Sequence, residues 1–160
     1  MNRTILCLLL LSMLILPLAG CKKGPQKPDG LPELIPCKIT LTHGSRPAEG
    51  VQVTLIKKND PSFAWYVGGT TDAAGVVAPV TQDFPGVPTG EFLVLCQKTV
   101  TEESTANSAM PTQFSTLPKK YNSMDTTPLS ITIGTSPVEQ SFDLGEAIHE
   151  KFSAPKIDNI

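Results

Sequence analysis

The sequence predicts an all-β chain, a two-sheet antiparallel sandwich of about seven short strands, on three observations. Apolar and polar residues alternate at period 2 in run after run, turn signals built from Gly, Pro and Asp separate the runs, and no long helical period appears. The clearest turn lies in GTTDAAGVVAPV, Gly69 to Val80, where Thr70 to Gly75 sit between two apolar segments. Asp can bond its own backbone and Gly accepts positive φ at no steric cost, so this stretch predicts a hairpin.

At the N-terminus, Asn2 and Arg3 precede Ile5 to Leu16, apolar apart from Ser12. A run of about twelve residues is short of the roughly 20 that span a bilayer, and Pro17 breaks it, so residues 1–20 read as an export signal. Leu18-Ala19-Gly20-Cys21 resembles the lipobox of bacterial lipoproteins at all four positions. There, small residues fit the protease site and the Cys thiol takes a diacylglyceryl group as a thioether. Cys21 is therefore the expected lipidation site and membrane lipid the first expected partner. Lys22 in the following position favours the outer membrane, facing the periplasm or outward.

Residues 22–36, KKGPQKPDGLPELIP, hold four prolines and two glycines. That composition cannot form helix and interrupts a ladder, so residues 21–36 are expected to be a lipidated, extended tether, with order beginning near Cys37.

Strand patterning then starts. Cys37, Ile39 and Leu41 share one face and Lys38, Thr40 and Thr42 the other; after the turn THGSRPAEG, Val51, Val53 and Leu55 repeat the pattern on a second strand, expected antiparallel to the first. Phe63, Trp65 and Val67 alternate with Ala64 and Tyr66 into the Asp72 turn, and Pro79 marks its second arm as short or at an edge. Phe92, Val94 and Cys96 form the inward set of the strongest strand, whose other face carries Leu93 and Leu95 and is expected to be central or covered. Thr99 to Thr127 is a long Ser/Thr-rich stretch, either functional or disordered. Leu129, Ile131 and Ile133, then Val138, Phe142 and Leu144, close the domain at 37–144, leaving 145–160 as a tail with one amphipathic patch, Ala147, Ile148 and Phe152, a helical turn or frayed chain.

Without residues 1–20 the chain loses only Arg3 among its charges, leaving 12 basic and 15 acidic residues and a net charge of −3. This is no basic footprint for nucleic acid. Of the four cysteines, Cys7 leaves with the signal and Cys21 carries lipid. Cys37 and Cys96 remain in an exported domain, where a disulfide across the core is expected; the alternative is two buried thiols.

The order GSRPAEGVQVTL, GGTTDAAGVV, VPTGEFLV, LPKKYNSMDTTPLSITI and EQSFDL resembles the transthyretin-like or carboxypeptidase-regulatory-like domain of many bacterial lipoproteins. The match runs from Cys37 to Leu144. Its departures are Ala74 and Val76, where that turn often has charged residues, and the Ser/Thr stretch before Leu117. The resemblance implies a seven-stranded sandwich with an accessory or binding role.

His43 and His149 are the two histidines, far apart in sequence, so no metal site is expected. The 5-hydroxyisourate hydrolases, enzymatic relatives of transthyretin, use a His and Arg site and a C-terminal Tyr-Arg-Gly-Ser, whereas this chain ends Lys-Ile-Asp-Asn-Ile and keeps Arg46 alone after the signal; that activity is not carried over. Tyr66, Tyr121, His43 and His149 match the iron ligands of intradiol dioxygenases in number and not in spacing. No G-x-S-x-G elbow and no phosphate-cradling loop is present.

The expectation is therefore a membrane-anchored envelope lipoprotein whose sandwich is a non-enzymatic accessory, structural or binding module, without cofactor, meeting an envelope protein or glycan. The alternative is a sandwich hydrolase or metal-dependent enzyme. Trp65, Tyr66 and Tyr121 are the binding candidates, with the segment from Thr101 to Tyr121. Being neighbours on a strand, Trp65 and Tyr66 are expected on opposite faces, one inward and one outward.

Overall fold

The computed structural model describes residues 26–102 and 112–151, so Cys21, the signal and the end of the tail lie outside the described residues. The described chain is all-β apart from one 3-10 turn, Lys119–Tyr121. Its strands are β1 (Leu34–Ile35), β2 (Cys37–His43), β3 (Arg46–Pro47), β4 (Gln52–Lys57), β5 (Val67–Thr70), β6 (Val76–Val77), β7 (Val80–Thr81), β8 (Phe84–Pro85), β9 (Val87–Pro88), β10 (Gly90–Gln97), β11 (Thr99–Glu102), β12 (Thr112–Ser115), β13 (Ser130–Ile133), β14 (Val138–Asp143) and β15 (Glu150–Lys151). The seven expected runs are thus divided into more and shorter strands.

One sheet has the order β13-β10-β4-β5-β7-β8, and its opponent is centred on β2, flanked by β14 on one side and by β3 and β6 on the other. Period 2 is the reason these segments are strands. Phe92, Val94 and Cys96 of β10 and Val53 and Leu55 of β4 are sealed inside with Ile39 and Leu41 of β2, while Glu91, Gln97, Lys38 and Gln52 face out. The two inner faces merge into one core that also takes Leu117, Tyr121 and Leu129 from the segment running beside β10. Leu93 and Leu95 are half-buried on the outer face of β10, as expected of a covered strand.

Several local expectations are corrected. The tether does not remain free to residue 36, because Leu31 and Ile35 are buried and β1 pairs with β9. Strands β2 and β4 do not pair; Ala48 to Val51 carries the chain from one sheet to the other, anchored by the buried Thr71 hydroxyl, which donates to the Ala48 carbonyl (2.6 Å) and accepts from the Val51 amide (2.8 Å). The last strand of the expected domain is parallel to its neighbour, β14 running beside β2 from Val138↔Cys37 to Asp143↔Thr42. The exposed Lys38–Glu139 ion pair, 3.3 Å long, follows from that register and adds little stability. Two flanks of the expected Ser/Thr loop form β11 and β12, and the tail adds β15 to them in place of a helical turn.

The Asp72 turn forms as expected in its chemistry and differs in its role. Asp72 Oδ1 accepts from the amides of Ala74 and Val76, both at 2.9 Å, and Gly75 stands at φ 73°. Yet β5 and β6 do not pair with each other: β5 joins β4 and β7, and β6 joins β2. Pro79, lacking a donor, breaks the run that follows, so β6 serves one sheet and β7 the other. This stretch is a clasp between the layers.

Cys37 and Cys96 are free, buried thiols, which corrects the expected disulfide. The register explains the separation. Cys96 is opposite Val53, and Val53 opposite Gly69, at the end of the sheet next to Thr71 and Ala48. Cys37 opens β2 opposite Val138 of β14, so the two thiols lie on different strands of opposing sheets. Desolvation by burial pushes Cys37 up to about 11 and Cys96 up to about 12.

Both thiols therefore keep their protons in the fold at pH values where an unfolded thiol, near 9.0, has lost its own. Their contribution is intact below pH 9 and falls as pH rises toward the folded values, each thiol with a slope of up to ~1.4 kcal/mol per pH unit. Urea midpoints should drop between pH 8 and pH 10.5, and the drop should shrink in the double variant Cys37→Ala, Cys96→Ala. A pH-independent midpoint, or an equal drop in the double variant, would contradict this.

Candidate functional site

Where β4 ends, Asn59-Asp60-Pro61 turns the chain back toward β5, and Asn59 adopts the left-handed conformation at φ 58° that Asn tolerates better than most residues. The segment that follows, residues 61–66, is irregular, so Trp65 and Tyr66 are not on a strand and need not alternate across one. Tyr66 is 47% exposed, with its hydroxyl end folded back over Gly68, where a side chain would collide with it. Trp65 is half-buried and lines a groove.

That groove, of about 370 Å³, is lined by residues of the end of β4 and the β4–β5 connection, among them Lys57, Asn59, Asp60, Phe63 and Trp65, and by Met124 from a distant segment. Phe63 forms its wall, meeting the core residue Phe92 edge-on at 6.0 Å between ring centroids. Lys57 Nζ stands 4.9 Å above the Phe63 ring and 3.3 Å from Asp60 Oδ2. The Ser62 hydroxyl donates to Asp60 Oδ1 at 2.7 Å and, with Lys57 beside it, holds the Asp60 carboxyl below the usual range. The rim is therefore a charge-balanced pair at the mouth of an apolar slot, and Met124, 55% exposed, is the flexible side that can adapt to an occupant.

Tyr121 does not join this groove. It is 5% exposed, packed into the core from the 3-10 turn, with Lys120 Nζ 4.8 Å over its ring. It is a core residue, because the turn from Pro118 to Tyr121 beside β10 directs it inward. Of the segment from Thr101 to Tyr121, residues 103–111 lie outside the described residues.

In the sequence Asn59-Asp60-Pro61 reads only as a turn that ends a strand, and Lys57, Asp60, Phe63 and Met124 are not among the expected binding residues. The spacing of Lys57 and Asp60, three apart around a turn, was the available signal. Met124 comes from a segment distant in sequence and gave none.

The histidines are apart. His43 Nδ1 lies 3.0 Å from the Gly145 carbonyl, in an open polar recess with Arg46 and Glu146, while His149 stacks on Phe114 at 4.2 Å and meets Glu102 at 3.0 Å. Among the described residues no three His, Cys, Asp or Glu side chains gather as metal ligands, and no helix is long and apolar enough to cross a membrane.

No family model matches the chain, and no curated protein matches it. It is similar to the solved structure of a Klebsiella pneumoniae 5-hydroxyisourate hydrolase, with 17% identity, 77% of this chain and 97% of that one covered, and a TM-score of 0.34. That neighbour has a transthyretin-like fold and is an enzyme, which corrects the expectation of a non-enzymatic chain. The likeness brings no residue role with it.

Proposed function

We propose that this chain is a lipid-anchored lipoprotein of the bacterial cell envelope, whose transthyretin-like sandwich works as an accessory or binding module. The observation that carries the binding role is the groove at the β4–β5 connection, where an aromatic slot and a polar rim converge on one end of a rigid sandwich. Support for the anchor comes from Leu18-Ala19-Gly20-Cys21 and the Pro-rich residues after it, which suit a domain held off a membrane. Two or three acyl chains, at roughly 0.8 kcal/mol per buried methylene, hold such a domain stably.

Cells fed labelled palmitate should incorporate it into the natural chain and not into Cys21→Ala, which should accumulate as the unprocessed precursor. Equal labelling of the two would sink the anchor. Trp65→Ala should leave labelling intact and lose the envelope component that co-purifies with the natural chain; unchanged co-purification would remove the groove from the binding role.

A further inference from the structure

The groove combines an aromatic ring that has no partner with rim groups that keep unused hydrogen-bonding capacity. Phe63 is committed on both counts, with its contact to Phe92 and Lys57 over its face. Trp65, in contrast, enters no ring pair, no cation contact and no hydrogen bond among the described residues. Its indole is available on the groove side. The Asn59 amide also makes no hydrogen bond among the described residues, and its left-handed backbone holds it, exposed, at the groove's edge.

The other two rim groups are half-used. Asp60 Oδ1 accepts from Ser62 and Oδ2 from Lys57, which leaves each carboxylate oxygen a further lone pair. Lys57 retains two of its ammonium protons for other acceptors. Because these two charges cancel, the rim offers donors and acceptors without a net charge. A volume of about 370 Å³ falls within the roughly 300–1,000 Å³ of small-ligand sites.

We infer that this groove takes one neutral pyranose unit of a glycan, its C–H face against Trp65 and its hydroxyls on Asn59, Asp60 and Lys57. This rests on the reading of the groove as the binding face and adds the class of ligand. A pyranose carries an apolar face and a girdle of hydroxyls in one rigid body, and each hydroxyl both donates and accepts. An aliphatic peptide side chain would use the indole and leave the rim groups unserved. An anionic sugar would set its carboxylate against Asp60.

Trp65 is the sole tryptophan of the chain, so its fluorescence reports on this groove alone. The full-length chain in detergent is titrated with cellohexaose, N-acetylchitohexaose and mannohexaose as neutral probes, and with hexagalacturonate as the acidic comparison. At least one neutral probe should change the emission saturably, with hexagalacturonate at least tenfold weaker. In calorimetry with that probe, Asn59→Gly, which removes the amide and keeps the left-handed backbone accessible, should weaken binding roughly fivefold. Trp65→Ala should abolish it.

No saturable change with any neutral probe, or binding unaltered in both variants, overturns the inference. If the neutral probes fail while Trp65-dependent co-purification persists, the groove binds some other chemistry and the sugar assignment alone falls. If both fail, the binding role falls with it.

Discussion

Phe92→Ala should lower the stability of the fold by about 3–5 kcal/mol, the cost of removing a large aromatic from a sealed core. Phe92 is fully buried at the crossing of three neighbours: it lies opposite Lys57 of β4 and Ile131 of β13 in the ladder, and its ring meets Phe63. The loss should therefore reach the groove, because Phe63 would stand over a void in place of a ring. Urea unfolding measures the first effect, and the Trp65 emission maximum, shifting toward that of solvated indole before global unfolding, measures the second. Phe63→Ala should cost less, since Phe63 is only half-buried. A double-mutant cycle should return a coupling of roughly 0.5–1.5 kcal/mol between the rings. A cost for Phe92→Ala below about 1 kcal/mol would mean that β10 does not hold the centre of the core.

The centre of that core was legible because it depends on a local rule. Period 2 in Cys37–Leu41, Val51–Leu55 and Phe92–Cys96 says which side chains turn inward, and each of those residues is buried. What the alternation cannot say is which strand lies beside which. The parallel partnership of β14 with β2, the separation of β2 from β4, and the placing of Cys37 and Cys96 on strands of different sheets all follow from long-range pairing. No turn residue encodes that pairing. Trp65 stands out in the sequence by its chemistry and the fold places it in the groove, whereas Tyr121 was misplaced because an aromatic in a polar segment reads the same whether it caps the surface or plugs the core. The rest of the groove is assembled from a turn, an irregular stretch and Met124, and only the fold brings them together.

The Asp72 turn shows how a local signal can be right in its chemistry and incomplete in its consequence, and Gly75 is where the consequence can be measured. The Gly75 carbonyl accepts from the Leu41 amide at 2.8 Å, tying the turn to β2, while Thr71, which follows β5, ties it to Val51 and Asp72 closes the turn onto Val76. A Cβ at Gly75 would collide with the Leu41 carbonyl and come within 2.9 Å of the Ala48 amide nitrogen, both of them backbone atoms that cannot step aside. Leu41 and Ala48 are themselves hydrogen-bonded to each other at 2.9 Å, so displacing one strains the other. The left-handed φ of 73° adds about 1–2 kcal/mol for any L-residue with a Cβ, and forced overpacking typically adds a further 1–3. Gly75→Ala should therefore cost about 3 kcal/mol or more, against near-neutrality for Ala73→Gly two positions earlier in the turn, where the side chain is exposed. Because the damage falls on the joint between the two layers, amide exchange should accelerate in β2 and β6 before it does in β10 and β13. A cost for Gly75→Ala of less than about 1 kcal/mol, or uniform exchange across both sheets, would show that the layers are held together elsewhere.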